Sequence, residues 1–304
     1  MDYRDSADLS GTRTRRAQGG SRSGGGLGGG LGGGLGGRGR GMAVGGGLGG
    51  IVVLLLALVL GPSLGLNVGD LMGGQNPGSD SRPGAYETQC DGVSVQQNRD
   101  CRWVNYEVAV QNYWAKAKPG YKSADMLLFT GTTHTACGVG QSQMGPFYCP
   151  GDSTVYIDDS FVGQLLKQLG ASGGDAAELY IIAHEYGHHV QNLDGTLRSV
   201  KRDAGDGSQQ VRLELQADCY AGVFFHNTLK DPNSPIASVS RDDLLRISDA
   251  ARAVGDDHIQ SQQGGFVNPE SWTHGSSEQR QRWVGIGFDS GDPAACNTFD
   301  TAEI

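Results

Sequence analysis

Residues 181–193, IIAHEYGHHVQNL, hold two histidines and a glutamate whose types and spacing suit a metal site that activates water. His184 and His188 are four apart. On an α-helix that separates them by about 40° around the axis and one turn along it, so both imidazoles can reach one ion. Zinc accepts imidazole nitrogen at about 2.0–2.1 Å in a tetrahedral shell. Glu185 lies on the adjoining face, where its carboxylate can reach a water on the ion without being a ligand. Zinc lowers the pKa of such a water towards about 7, and a carboxylate takes its proton. With seven histidines and eight glutamates in 304 residues, chance supplies roughly 0.004 motifs of this form.

A catalytic zinc needs a third protein ligand and an open fourth position. Residues 211–226, VRLELQADCYAGVFFH, offer Glu214 and Asp218, again four apart on one face. Glu214 is the expected ligand. Asp218 is expected to accept a hydrogen bond from the far nitrogen of a bound histidine, fixing its tautomer. Leu213, Tyr220, Phe224 and Phe225 make this helix largely buried, and a buried carboxylate pair needs a reason. Ala217, Ala221 and Gly222 let it approach another helix closely, and Gly187 leaves room inside the histidine motif. His189 points about 100° away from His188 and reads as structural or surface. His226 lies about 120° from Glu214 and would need a bent helix.

Other residues carry weaker expectations. His274, in THGSS, begins a polar turn before a helix. Capping that turn is its plainer reading, and stabilising an oxyanion or touching substrate is the functional one. His134 sits among threonines on an expected strand. A strand near Ala136 or Val155 can add an extended peptide to its edge.

The elements that must position these groups follow from patterning. Helices are expected over 102–118, from Asp158 to Gly170, over 175–193 and over 208–230. Ser240 with Asp243 forms a capping box for DDLLRISDAARAV, and a last helix starts at Ser276 or Ser277. Strands are expected over 124–138 and 154–157. The fold class is α+β, a mainly helical domain with a small sheet over 86–304.

The N-terminal part differs in kind. Residues 1–40 are rich in glycine and arginine, with three glycines per leucine in GGGLGGGLGGGLGG, and read as a disordered tail. Residues 41–69 carry no charge. A helix from about Leu48 to Leu66 would be about 28 Å long, close to one bilayer core, so the segment reads as a transmembrane anchor. A cleaved signal peptide is the competing reading. Forty residues precede the run, and Ser63-x-Gly65 is only a weak cleavage candidate. Residues 70–85 read as a Gly/Pro-rich linker. Arg38 and Arg40 precede the anchor, so the expected topology is single-pass in the cell membrane, with a cytoplasmic N-terminus and an extracytoplasmic domain. All six cysteines follow the apolar run, which suits an oxidising compartment. Connectivity is not fixed by sequence. Proximity favours Cys90–Cys101 and Cys137–Cys149, leaving Cys219–Cys296. The net charge is −9; residues 1–40 carry seven arginines against three aspartates, so the remainder carries −13. An acidic domain argues against a nucleic-acid partner.

H-E-x-x-H followed by E-x-x-A-D looks like the zincin peptidases that use a glutamate as third ligand. More closely, TACG (135–138), GPFYCPGDSTVYID (145–158), AHEYGHHVQ (183–191), ELQADCYAG (214–222) and HGSSEQRQRW (274–283) resemble the bacterial putative neutral zinc metallopeptidase family, from about residue 86 to the C-terminus. A Gly-rich tail and a single apolar anchor also occur there. The resemblance implies a zincin-like domain, one zinc per chain and peptidase activity on a peptide or protein substrate, and it names no substrate. The other functional reading is a catalytically silent, zinc-stabilised binding module tethered to the membrane. A fourth protein ligand closing the site would favour it.

Overall fold

The computed structural model describes residues 1–4, 6–17, 85–87, 90, 95–96, 98–264 and 266–304. The expected anchor over 41–69 and all but the end of the linker lie outside them. No helix among the described residues is long and apolar enough to cross a membrane. The architecture is α+β, as expected: eight α-helices and small sheets among the described residues.

The strands are β1 (Asp2–Tyr3), β2 (Thr14–Ala17), β3 (Ala85–Glu87), β4 (Asp125–Leu128), β5 (Thr132–Thr135), β6 (Gly138–Gln141), β7 (Phe147–Cys149), β8 (Thr154–Ile157) and β9 (Ile236–Ser238). Five form one sheet in the order β3-β2-β4-β8-β7. The three central strands run parallel, and β3 and β7 run antiparallel at the edges. The expected strand over 124–138 is broken. Gly131 turns left-handed at φ +78°, and the chain then folds into the separate β5–β6 hairpin. Its N–H donates to Asp158 Oδ2 at 3.0 Å, which fixes the break. Ala136 therefore sits at the hairpin tip, Val155 is internal to the sheet, and the edge is β7.

The expectation of a disordered tail fails for residues 1–17. β1 pairs with β9, and β2 is inserted between β3 and β4. Three arginines of the tail have acidic partners in the domain. Arg13 and Arg15 meet Asp125, and Arg16 bridges Asp100 and Asp159. Tyr3 and Leu9 are buried in the main core. The glycine repeat begins only after these residues.

The helices are α1 (Arg99–Ala117), α2 (Asp159–Gln168), α3 (Asp175–Asp194), α4 (Thr196–Ser199), α5 (Gln209–Thr228), α6 (Arg241–Ala253), α7 (Asp256–Gln262) and α8 (Ser277–Ser290). Their starts are chemical. The Asn98 side chain caps α1, Ser208 caps α5, and Ser240–Asp243 and Ser276–Gln279 form capping boxes for α6 and α8. Small residues let the central helices touch. A Cβ at Gly187 of α3 would lie 3.0 Å from Ala217 Cα of α5, and Cβ atoms at Gly222 or Gly287 would collide with the facing backbone of α8 or α5. The three disulfides are Cys90–Cys101, Cys137–Cys149 and Cys219–Cys296, as proximity and remainder suggested.

Candidate metal centre

α3 and α5 are buried along most of their length, which places their polar residues in the interior by necessity rather than by hydrophobic drive. His184 and His188 come from α3 and Glu214 from α5. Their ligand atoms all lie within 4.8 Å of one another. Glu214 Oε2 is 3.3 Å from His184 Nε2 and 3.5 Å from His188 Nε2. The expected ligand set is therefore assembled.

The tautomers follow from the acceptors behind the rings. His184 Nδ1 lies 2.8 Å from Asp218 Oδ1, and His188 Nδ1 lies 2.8 Å from Gln191 Oε1. Gln191 is oriented by donating Nε2 to Leu213 O at 2.7 Å. Both Nδ1 atoms therefore donate, so with an ion bound both Nε2 atoms turn lone pairs toward the point that Glu214 Oε2 also faces. Three lone pairs facing one point repel unless a cation stands between them, so the donor set fits a zinc ion of mixed N,N,O ligation. Electrostatics agree. Burial disfavours charge on His184, yet Asp218, with Glu214, pushes the imidazole up to about 9. Burial likewise raises Glu214, but the facing imidazoles of His188 and His184 outweigh it and hold its carboxyl well below the usual range. The cavity seeks positive charge.

Asp218 takes the expected place behind His184, and more converges on it than the sequence indicated. It is fully buried. Tyr180 Oη donates to Oδ1 at 2.6 Å, Arg280 Nη2 donates to the same oxygen at 3.0 Å, and Arg280 Nε lies 2.9 Å from Oδ2. Behind His188 the supports are amides. Gln191 Nε2 also reaches Gln216 Oε1, Gln216 Nε2 donates to Cys296 O at 3.0 Å, and Gln210 Nε2 donates to Glu214 Oε1 at 3.1 Å. Arg280, Tyr180, Gln191, Gln210 and Gln216 were not singled out from the sequence. Arg280, Gln191 and Gln216 lay in stretches already marked, HGSSEQRQRW, AHEYGHHVQ and ELQADCYAG, but none was given a role there.

Glu185 lines the same cleft without joining the ligand group. Burial raises its carboxyl, partly offset by His188 and His184, and the Tyr148 backbone N–H of β7 reaches it. The edge strand thus orients the base. His274 lines the cleft too, in a turn organised by Asp256. The N–H groups of Thr273, His274 and Gly275 donate to Asp256 Oδ2 at 2.7, 2.7 and 3.1 Å, and His274 Nδ1 is 3.3 Å from Oδ1. Burial lowers His274, but Asp256 more than compensates and raises it. The turn and the cleft residue are one device. Met144 to Phe147, Leu165, Leu169, Ile181, Val254 and Ile259 give the cleft apolar walls.

Three other histidines stand elsewhere. His189 is buried and structural: its Nε2 donates to Lys122 O at 2.6 Å, so Nδ1 accepts from Tyr148 Oη at 2.9 Å. His226 bonds Phe288 O at 2.5 Å, away from the centre. His134 is exposed on the β5–β6 hairpin and does not line the cleft.

A family model described as "Putative neutral zinc metallopeptidase" matches residues 1–299. An uncharacterized protein of Mycobacterium tuberculosis is 45% identical over 229 residues, 73% of this chain and 78% of the relative. An uncharacterized protein of Escherichia coli is 48% identical over 185 residues, 59% of this chain and 62% of the relative. No solved structure matches the chain.

Proposed function

The chain belongs to the putative neutral zinc metallopeptidase family, and from that premise we propose that it is a zinc-dependent peptidase. The observation that carries the reading is the convergence of His184 Nε2, His188 Nε2 and Glu214 Oε2 beside a buried glutamate that is not a ligand. His184, His188 and Glu214 hold the ion. Bound zinc supplies Lewis acidity toward the attacking water and the scissile carbonyl. Glu185 takes the proton from the water and delivers it to the leaving amine. Its burial-raised proton affinity suits both halves of that transfer. His274, whose proton affinity Asp256 raises, donates to the oxygen on which negative charge develops. β7 is an edge strand over the cleft and offers a backbone to which an extended peptide can add. The apolar walls exclude water and accept an apolar side chain of the substrate.

A silent zinc-stabilised module would need a fourth protein ligand. Among the described residues the group has three, and it lies in a cleft wall. The deciding experiment is Glu185→Gln in the full chain, since residues 1–17 belong to the fold. One zinc per chain should be retained by elemental analysis, while cleavage of a denatured protein falls by about 10²–10⁴. Undiminished cleavage, or a wild-type chain that binds no zinc, would overturn the reading.

A further inference from the structure

The N-terminal residues are built into the domain. Glu107 of α1 is fully buried. It accepts from Thr12 Oγ1 at 2.6 Å, from the Arg13 backbone N–H at 3.1 Å and from Thr14 Oγ1 at 3.3 Å. Tyr3 Oη donates to Asp175 at 2.5 Å, at the start of the helix that carries the histidines. Thr14, Arg15 and Arg16 pair in parallel register with Met126, Leu127 and Leu128. On the other side of β2, Ala17 pairs with Ala85. The 67 intervening residues, 18–84, therefore leave and re-enter the fold at neighbouring positions about 5 Å apart.

That closure constrains the uncharged stretch 41–69. One crossing of a bilayer would put Thr12 and Glu107 on opposite faces. Two crossings need about 40 apolar residues, and the stretch has 29. The flanks cannot supply a second span: residues 18–40 contain Arg22, Arg38 and Arg40, and residues 70–84 contain Asp70, Asp80 and Arg82. We infer that residues 1–17 and the zinc-binding domain stand on the same side of the membrane. On this inference the single-pass topology expected from Arg38, Arg40 and the cysteine distribution does not hold.

The test uses the full chain in intact bacterial cells with permeabilised outer layers. Ser10 and Ala302 are both exposed, and the six native cysteines are paired, so Ser10→Cys and Ala302→Cys each introduce one free thiol. Each is treated with a membrane-impermeant maleimide before and after lysis. Both labelled before lysis, or both only after it, is the expected result. One labelled before and the other only after would overturn the inference. A second readout is independent of labelling. Thr12→Val with Thr14→Val should lower the melting temperature of the purified chain by about 5 °C or more, because a buried carboxylate loses two donors. An unchanged melting temperature would also overturn it.

Discussion

The two histidines of the centre are held in opposite ways. Behind His184 stands charge: Asp218, itself clamped by Tyr180 of the same helix and Arg280 of α8. Behind His188 stand neutral amides, Gln191 and then Gln216, ending on the carbonyl of a disulfide-bonded cysteine. Both arrangements fix the tautomer that turns Nε2 toward Glu214. The first also raises the basicity of its ring and sets a buried ion pair, Asp218 with Arg280, behind it. The difference teaches that orientation and electrostatic tuning are separable tasks, assigned here to different ligands.

Breaking the charged side should have the largest effect. Arg280→Ala leaves Asp218 buried without its cationic partner and should destabilise the fold by about 3–5 kcal/mol, read by denaturant unfolding. Gln216→Ala removes only neutral hydrogen bonds and should cost about 1–2 kcal/mol. Equal losses would erase the contrast. Metal affinity comes next. Asp218→Asn and Gln191→Ala should each weaken zinc by about 10–100-fold in chelator competition, with the aspartate substitution at the upper end. The smallest effect is in pH. Burial raises Asp218, but Arg280 and then His184 outweigh it and hold the carboxyl below its usual value. A depressed folded pKa stabilises fully above the unfolded value of about 3.9 and is lost as pH falls through the folded one. The melting temperature of the wild type should therefore drop more steeply below about pH 4 than that of Asp218→Asn. Gln191→Ala, which removes no titrating group, should leave that slope unchanged.

What was legible in the sequence was local. Histidines four apart, Glu214 with Asp218 four apart, and the Ser240 and Ser276 caps are all read within one or two helical turns, and the structure places each where its period requires. Proximity also sufficed for the two short disulfide loops. What was not legible was long-range pairing. Nothing near Arg280 announces that it meets a carboxylate 62 residues away. Nor does the tail's composition announce that Arg15 and Arg16 meet Asp125, Asp100 and Asp159. The strand over 124–138 looked continuous because threonine favours extended backbone, and one glycine with a tertiary hydrogen bond was enough to divide it.

Gly222 of α5 and Gly287 of α8 have a consequence for how the centre is assembled. With no side chains between them, the two helices meet backbone to backbone like a mortise and tenon, and a Cβ at either glycine would strike the facing chain. Glu214 rides on one partner of that joint and Arg280 on the other. Their spacing is set when the joint closes, before any ion arrives, so loading the ion demands little rearrangement of the scaffold. A bulkier residue at either glycine would pry open the joint and spoil the ion's seat from about two helical turns away.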